Sequence, residues 1–137
     1  MAGYSGTPLA KKLGIKAHSR VALVNAPPGF ADTLADLPEG VSLANSVRGR
    51  ESFDLILLFC RDSSHLDQWF AKLADRLSPA GGLWVAWPKK ASGVRTDLTE
   101  DVVRAVGLDA GLVDNKVCAV DETWSALRFV FRLSDRR

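Results

Sequence analysis

The chain has 137 residues, 47% of them hydrophobic and 25% charged, the balance of a single globular domain with its own core. Its formal charge of +2 exerts no global pull on nucleic acid or an anionic membrane, so any charge-driven function has to be local. No stretch reaches the roughly 20 apolar residues of a membrane helix, and Met1 to Ser5 lacks the basic flank and apolar run of a leader; the expectation is one cytoplasmic domain over residues 1–137 with an accessory segment at 1–18.

Thr7-Pro8 supplies an N-cap and a first-turn proline for a short helix over Leu9 to Leu13, stopped by Gly14. Arg20 to Asn25 is a short apolar run that reads as a buried central strand, ended by Pro27-Pro28-Gly29. A helical turn is predicted over Phe30 to Leu37 and, after Pro38-Glu39-Gly40, a short strand over Val41 to Ala44. Phe53 to Cys60 is apolar on both alternating faces, the mark of a strand with helices on each side. Ser64 and Asp67 have capping-box spacing, and Leu66, Trp69, Phe70, Leu73 and Leu77 recur at helical intervals facing the sheet. Ser78-Pro79-Ala80-Gly81-Gly82 breaks that helix, and Leu83 to Trp87 is the next strand, closed by Pro88.

After the polar stretch Lys89 to Arg95, Thr96 or Asp97 caps a helix with an apolar stripe of Leu98, Val102, Val103 and Val106, stopped at Gly107. One strand lies within Leu112 to Val120 and another over Trp124 to Leu133, where Leu127, Phe129, Phe131 and Leu133 share a side. Asp121-Glu122-Thr123 is short enough to join them as a hairpin. The tail Ser134 to Arg137 reads as frayed. Strands alternating with helices predict an α/β, Rossmann-like, mainly parallel sheet of five or six strands. The first strand is expected beside Phe53 to Phe59, and the chain closes on an antiparallel hairpin.

From Phe53 to Leu133 this series, with Leu77-Ser78-Pro79-Ala80-Gly81-Gly82-Leu83-Trp84-Val85 at its centre, resembles the second half of a Rossmann-like methyltransferase. The whole chain also resembles a bacterial domain-of-unknown-function family with a shortened methyltransferase-like expected fold. That resemblance rests on Gly3 to Leu9, Trp87-Pro88-Lys89-Lys90-Ala91-Ser92-Gly93, Thr96 to Glu100 and Gly111 to Asp121. It implies a fold and no established activity.

In such methyltransferases the first strand ends in an acid and a glycine-rich turn, because the cofactor lies against bare backbone. Here Val24-Asn25-Ala26-Pro27-Pro28-Gly29 keeps one glycine, and its two prolines lack N–H groups. The second strand, where the related dinucleotide fold places an acid on the ribose, ends at Asn45-Ser46. Few residues separate Asn25 from Asp54, so part of the cofactor platform is missing. These departures argue against S-adenosylmethionine as cofactor. They favour a non-catalytic or regulatory module that binds a small anionic or nucleotide-like ligand or a protein; the alternative is an enzyme of unidentified reaction at the carboxyl edge of the sheet.

Open α/β sheets bind ligands at the carboxyl ends of their strands, which points to Asn25, to Arg61 and Ser63, and to Trp87, Lys89, Lys90 and Ser92. Cations beside an indole suit an anion attached to a flat ring, and a helix start near Thr96 or Asp97 would add N–H donors for a phosphate; a solvated loop with a packing tryptophan is the plainer reading. Asp114, Asn115 and Lys116, with Asp121 nearby, offer an Asp/Lys pair for proton transfer or, more plainly, a turn network. Asp97 and Glu100 read as capping and dipole compensation. Cys60 and Cys118 lie in apolar runs without zinc-site spacing and read as buried structural thiols, while His18 and His65 stand alone, so no metal is expected. Neither a Gly-x-Ser-x-Gly elbow nor a Walker loop occurs. The basic residues Lys11, Lys12, Lys16 and Arg20 are nearly balanced by acids elsewhere, so neither nucleic acid nor membrane is an expected partner.

Overall fold

A computed structural model describes residues 8–136. Its elements in chain order are α1 (Leu9–Leu13), β1 (Arg20–Val24), β2 (Ser42–Ala44), β3 (Phe53–Phe59), α2 (Ser63–Ala74), β4 (Leu77–Pro88), α3 (Glu100–Asp109), β5 (Leu112–Ala119) and β6 (Trp124–Phe131). Short 3-10 turns cover Phe30–Thr33, Lys90–Ser92 and Leu133–Asp135. The strands form one six-stranded sheet in the order β2-β1-β3-β4-β6-β5. From β2 to β4 neighbours pair parallel, and β6 runs antiparallel to both β4 and β5. This is the expected Rossmann-like α/β sheet with an antiparallel C-terminal hairpin, and β1 lies beside β3 as expected.

Side chains alternate across the pleat, so the inner strands β1, β3, β4 and β6 feed two cores. Ile56, Leu58, Leu83, Val85, Leu127 and Phe129 pack under α2 and α3, with Leu66, Phe70, Leu73 and Val103 from those helices. Leu55, Leu57, Phe59, Trp84 and Ala126 pack on the opposite face under α1 and the Phe30–Thr33 turn. Both faces of β3 are therefore covered, one of them by a helix of only five residues. That short helix is anchored by the fully buried Trp84, whose Nε1 donates to the Leu13 carbonyl at 2.9 Å. An indole N–H left unpaired at that depth costs about 1–3 kcal/mol.

The element boundaries differ from expectation where a distant partner decides them. Asn25 does not extend β1: it turns out of the strand at φ 58°, a left-handed conformation that asparagine tolerates. The turn after Gly29 covers only Phe30–Thr33. α2 is capped by Asp62, whose carboxylate accepts from the His65 N–H at 2.8 Å, and not by Ser64. Leu77 opens β4, and Ser78 to Gly82 bulges within that strand: Phe53 is paired with Leu77, but Leu55 with Gly82.

α3 starts at Glu100 behind a Thr99 cap, and Gly107 lies inside it. A Cβ on Gly107 would collide with the Phe129 ring, so glycine there permits a close helix–sheet approach, and the left-handed turn falls at Gly111 (φ 92°). Leu133 leaves the alternation and is 79% exposed in the terminal 3-10 turn. The tail is structured as far as Arg136, whose Nε donates to the Phe131 carbonyl at 3.1 Å. The expected Thr7 cap and most of the Gly3 to Leu9 segment lie outside the described residues.

Candidate functional site

β1 is followed by β2 on one side and β3 on the other, so the chain reverses its direction of growth at β1. Crevices outside the carboxyl ends of strands at such a reversal are where α/β sheets hold ligands. A cleft of about 370 Å³ opens there, lined by Val24 at the end of β1 and Asn25 just after it, by Asn45, Ser46, Val47 and Arg48 after β2, and by Trp69 of α2. The size suits a small organic ligand. Val47 and Trp69 rest on the core, and the Lys72 ammonium lies 5.6 Å from the Trp69 ring centroid. The wall after β2 is pinned from the far side of the chain: Arg76 Nη1 donates to the Val47 carbonyl at 2.5 Å and Nη2 to the Glu51 carbonyl at 2.6 Å.

Of the residues singled out from the sequence, Asn25 lines this cleft and the others are placed elsewhere. Ser63 is committed: its N–H and hydroxyl donate to the two Asp97 carboxylate oxygens at 2.8 and 2.6 Å. Those bonds, the hydroxyl first, hold the Asp97 carboxyl below its usual range. The Arg61 carbonyl accepts from Thr96 Oγ1 at 2.5 Å while its side chain stays exposed. Trp87 is 6% exposed and offers no ring face to a ligand.

The Lys89 N–H donates to the Thr123 carbonyl at 2.7 Å. Ser92 Oγ donates to the Lys89 carbonyl at 2.6 Å and accepts from the Val94 N–H at 3.2 Å. Lys90 is exposed. The following helix start is already met by the Thr99 hydroxyl, which accepts from the Val102 N–H at 3.2 Å, and by Glu100 and Asp101. Its partial positive charge is thereby offset locally.

Asp114, Asn115 and Lys116 occupy a bulge on the edge strand β5. Lys116 is level with Arg128 and hence with Trp84, about 13 Å down the sheet from Pro88 at the ordinary strand rise. The structure therefore does not bring them to the Lys89 loop. Asp114 accepts from Arg104 Nε at 3.0 Å, and the same guanidinium meets Glu100 at 2.7 Å and Asp101 at 3.0 Å; the bonds to Glu100 and then Asp114 raise its pKa. This junction ties α3 to β5. Asp121 accepts from the Thr123 and Trp124 N–H groups at 2.8 Å each, closing the hairpin.

Cys60 is fully buried, and burial with a lesser push from Asp62 raises its thiol to about 12; burial also raises the half-buried Cys118. His18 is exposed and His65 half-buried in the first turn of α2. Among the described residues no grouping of His, Cys, Asp and Glu could hold a metal, and no helix is long and apolar enough to cross a membrane.

Sequence reasoning missed Val47, Arg48 and Trp69 as cleft residues and weighed Asn45-Ser46 only as the place of a lacking acid. The available signal was that polar pair directly after a short strand.

No protein-family model and no curated protein matches the sequence. Solved structures do match. The N-methyltransferase NodS from Bradyrhizobium japonicum WM9 superposes with a TM-score of 0.60 at 18% identity, over 88% of this chain and 90% of that one. Fibrillarin from Aeropyrum pernix, with natively bound S-adenosyl-L-methionine, gives 0.60 at 14% identity over 93% and 70%. Magnesium protoporphyrin IX methyltransferase from Synechocystis PCC 6803 with bound SAM gives 0.58 at 9% identity over 90% and 74%. Identities this low show the fold, which is methyltransferase-like.

They also correct two expectations. The exclusion of S-adenosylmethionine, and with it the preference for a non-catalytic module, is overturned by neighbours that carry this cofactor on the same fold. Pro27 and Pro28 do lack N–H donors, but the polar lining of the cleft comes from Asn25, Asn45, Ser46 and Arg48.

Proposed function

We propose that the chain binds S-adenosylmethionine in the carboxyl-edge cleft and acts in methyl transfer. The observation that carries this reading is the placement of an amide-, hydroxyl- and indole-lined cleft at the ends of β1 and β2, where the strand order reverses. The residues fit such a cofactor. Trp69 and Val47 supply a flat, apolar wall for a purine, and the Asn45 and Ser46 side chains supply donors and acceptors for ribose hydroxyls in place of a carboxylate. Arg48 suits a carboxylate, and Asn25 adds an amide at the end of β1.

When bound, the cofactor supplies an electrophilic methyl group on a sulfonium sulfur. The chain's part is to hold it and keep water from beneath the edge, where Phe59 packs edge-on against Phe30 and Trp124 with centroids 4.9 and 5.0 Å away. The Cys60 thiol stays protonated at neutral pH and is not a nucleophile in this scheme.

Calorimetry with S-adenosylmethionine and S-adenosylhomocysteine tests the reading. The expected dissociation constant is about 100 μM or tighter, weakened about tenfold in Trp69→Ala and several-fold in Asn45→Ala. Absence of saturation at about 5 mM, or equal affinity in all three proteins, would overturn it.

A further inference from the structure

We propose that a cavity at the amino edge of the sheet, built around Arg128 beneath the segment joining α1 to β1, is a binding site for a small molecule carrying a phosphate group. Among the described residues four arginines are half-buried: Arg20, Arg76, Arg104 and Arg128. Arg20 pairs with Glu51, Arg76 donates to two carbonyls, and Arg104 meets three carboxylates. Arg128 is the exception. Among the described residues it makes no ion pair, and its single side-chain hydrogen bond runs from Nη1 to Asn115 Oδ1 at 3.4 Å. A guanidinium has five N–H donors in a fork that matches phosphate, and keeping it half-desolvated without an anion is costly. Burial, and secondarily Arg136, lower its pKa, which is the same cost seen from the proton's side.

The surroundings are shaped for an occupant. The cavity measures about 320 Å³ and is lined by Gly14, Lys16, His18, Asp54, Ser78 and Gly81 beside Arg128. Gly82 lies directly under the guanidinium, and a Cβ there would overlap its nitrogens, so the missing side chain is what lets Arg128 lie along the sheet. Asp54, the one acid in the lining, is already engaged: its carboxylate accepts from the Arg20 N–H at 2.9 Å. Lys16 and Arg128 outweigh it, with Arg136 adding positive potential, and a phosphate monoester carries a charge of about −1.5 to −2 at neutral pH. The cavity lies at the opposite edge of the sheet from the cleft at Asn25 and Trp69, so the proposal is independent of the cofactor reading.

The test is calorimetry with inorganic phosphate and with ribose 5-phosphate on the wild type, Arg128→Gln, Lys16→Ala and a Lys89→Ala/Lys90→Ala double variant, alongside thermal melts. Saturable binding is expected, weakened about tenfold in Arg128→Gln and about threefold in the exposed Lys16→Ala, and unchanged in the double variant. Phosphate should raise the melting temperature of the wild type and, at the same concentration, raise that of Arg128→Gln less. No saturation at about 10 mM, equal affinity in wild type and Arg128→Gln, or loss in the double lysine variant instead would overturn the proposal. Should Arg128→Gln fail to fold, equal affinity in wild type and Lys16→Ala overturns it alone.

Discussion

Cys60 follows directly on β3 with no accessible surface, and its thiol sits near 12 instead of 9.0 because the thiolate would be desolvated. The folded state therefore keeps a proton that the unfolded chain gives up earlier. Its contribution to stability is full below the unfolded value and is lost as pH rises from about 9 towards 12. At pH near 8, iodoacetamide should label Cys118 in the folded protein about tenfold faster than Cys60, as read by peptide mass spectrometry; equal rates would contradict this burial. Single residues also show where periodicity misleads. Trp87, next to last in β4, reads from the sequence as a ligand-site residue, yet both faces of β4 are covered and the ring is buried. Trp69 shares the helical stripe of Leu66 and Leu73, yet it lies at the margin of that stripe and borders the cleft.

Elements were legible where local rules decide them and shifted where a remote partner does. The sequence offers Thr96 or Asp97 as the cap of α3 and the structure uses neither: Thr99 caps the helix, Thr96 Oγ1 donates to the Arg61 carbonyl, and Asp97 is taken by Ser63 at the start of α2. No local pattern announces that bond. The Asp97 carboxyl is held low by Ser63, so its contribution is present above the normal carboxylate range and lost as pH falls through the lowered value. Asp97→Ala should speed hydrogen exchange at the Ser63 amide about tenfold while leaving amides of β3 unchanged; an unchanged Ser63 amide would show that the bond does not hold this junction. Gly107 illustrates the same limit. A glycine late in a helical stripe reads as a stop, and only its contact with Phe129 of β6 shows why the helix runs on to Asp109.

At the scale of the whole molecule, the alternation of apolar strands with amphipathic helices gave the sheet, its parallel body and its antiparallel end, because each of those follows from pattern and loop length. The cleft was not legible. Its walls come from β1, the segment after β2 and one face of α2, and only the strand order brings them together. For the same reason the absence of an acid after β2 and the two prolines after β1 do not decide against a cofactor: a site made by several segments can draw its donors from any of them. The direct measurement is a backbone and indole chemical-shift map of the isotopically labelled protein titrated with S-adenosylhomocysteine. Saturable shifts confined to Asn25, Asn45 to Arg48 and the Trp69 indole are expected; no shifts at millimolar ligand, or shifts centred on the Lys89–Ser92 loop or on Arg128, would contradict a cofactor site in this cleft.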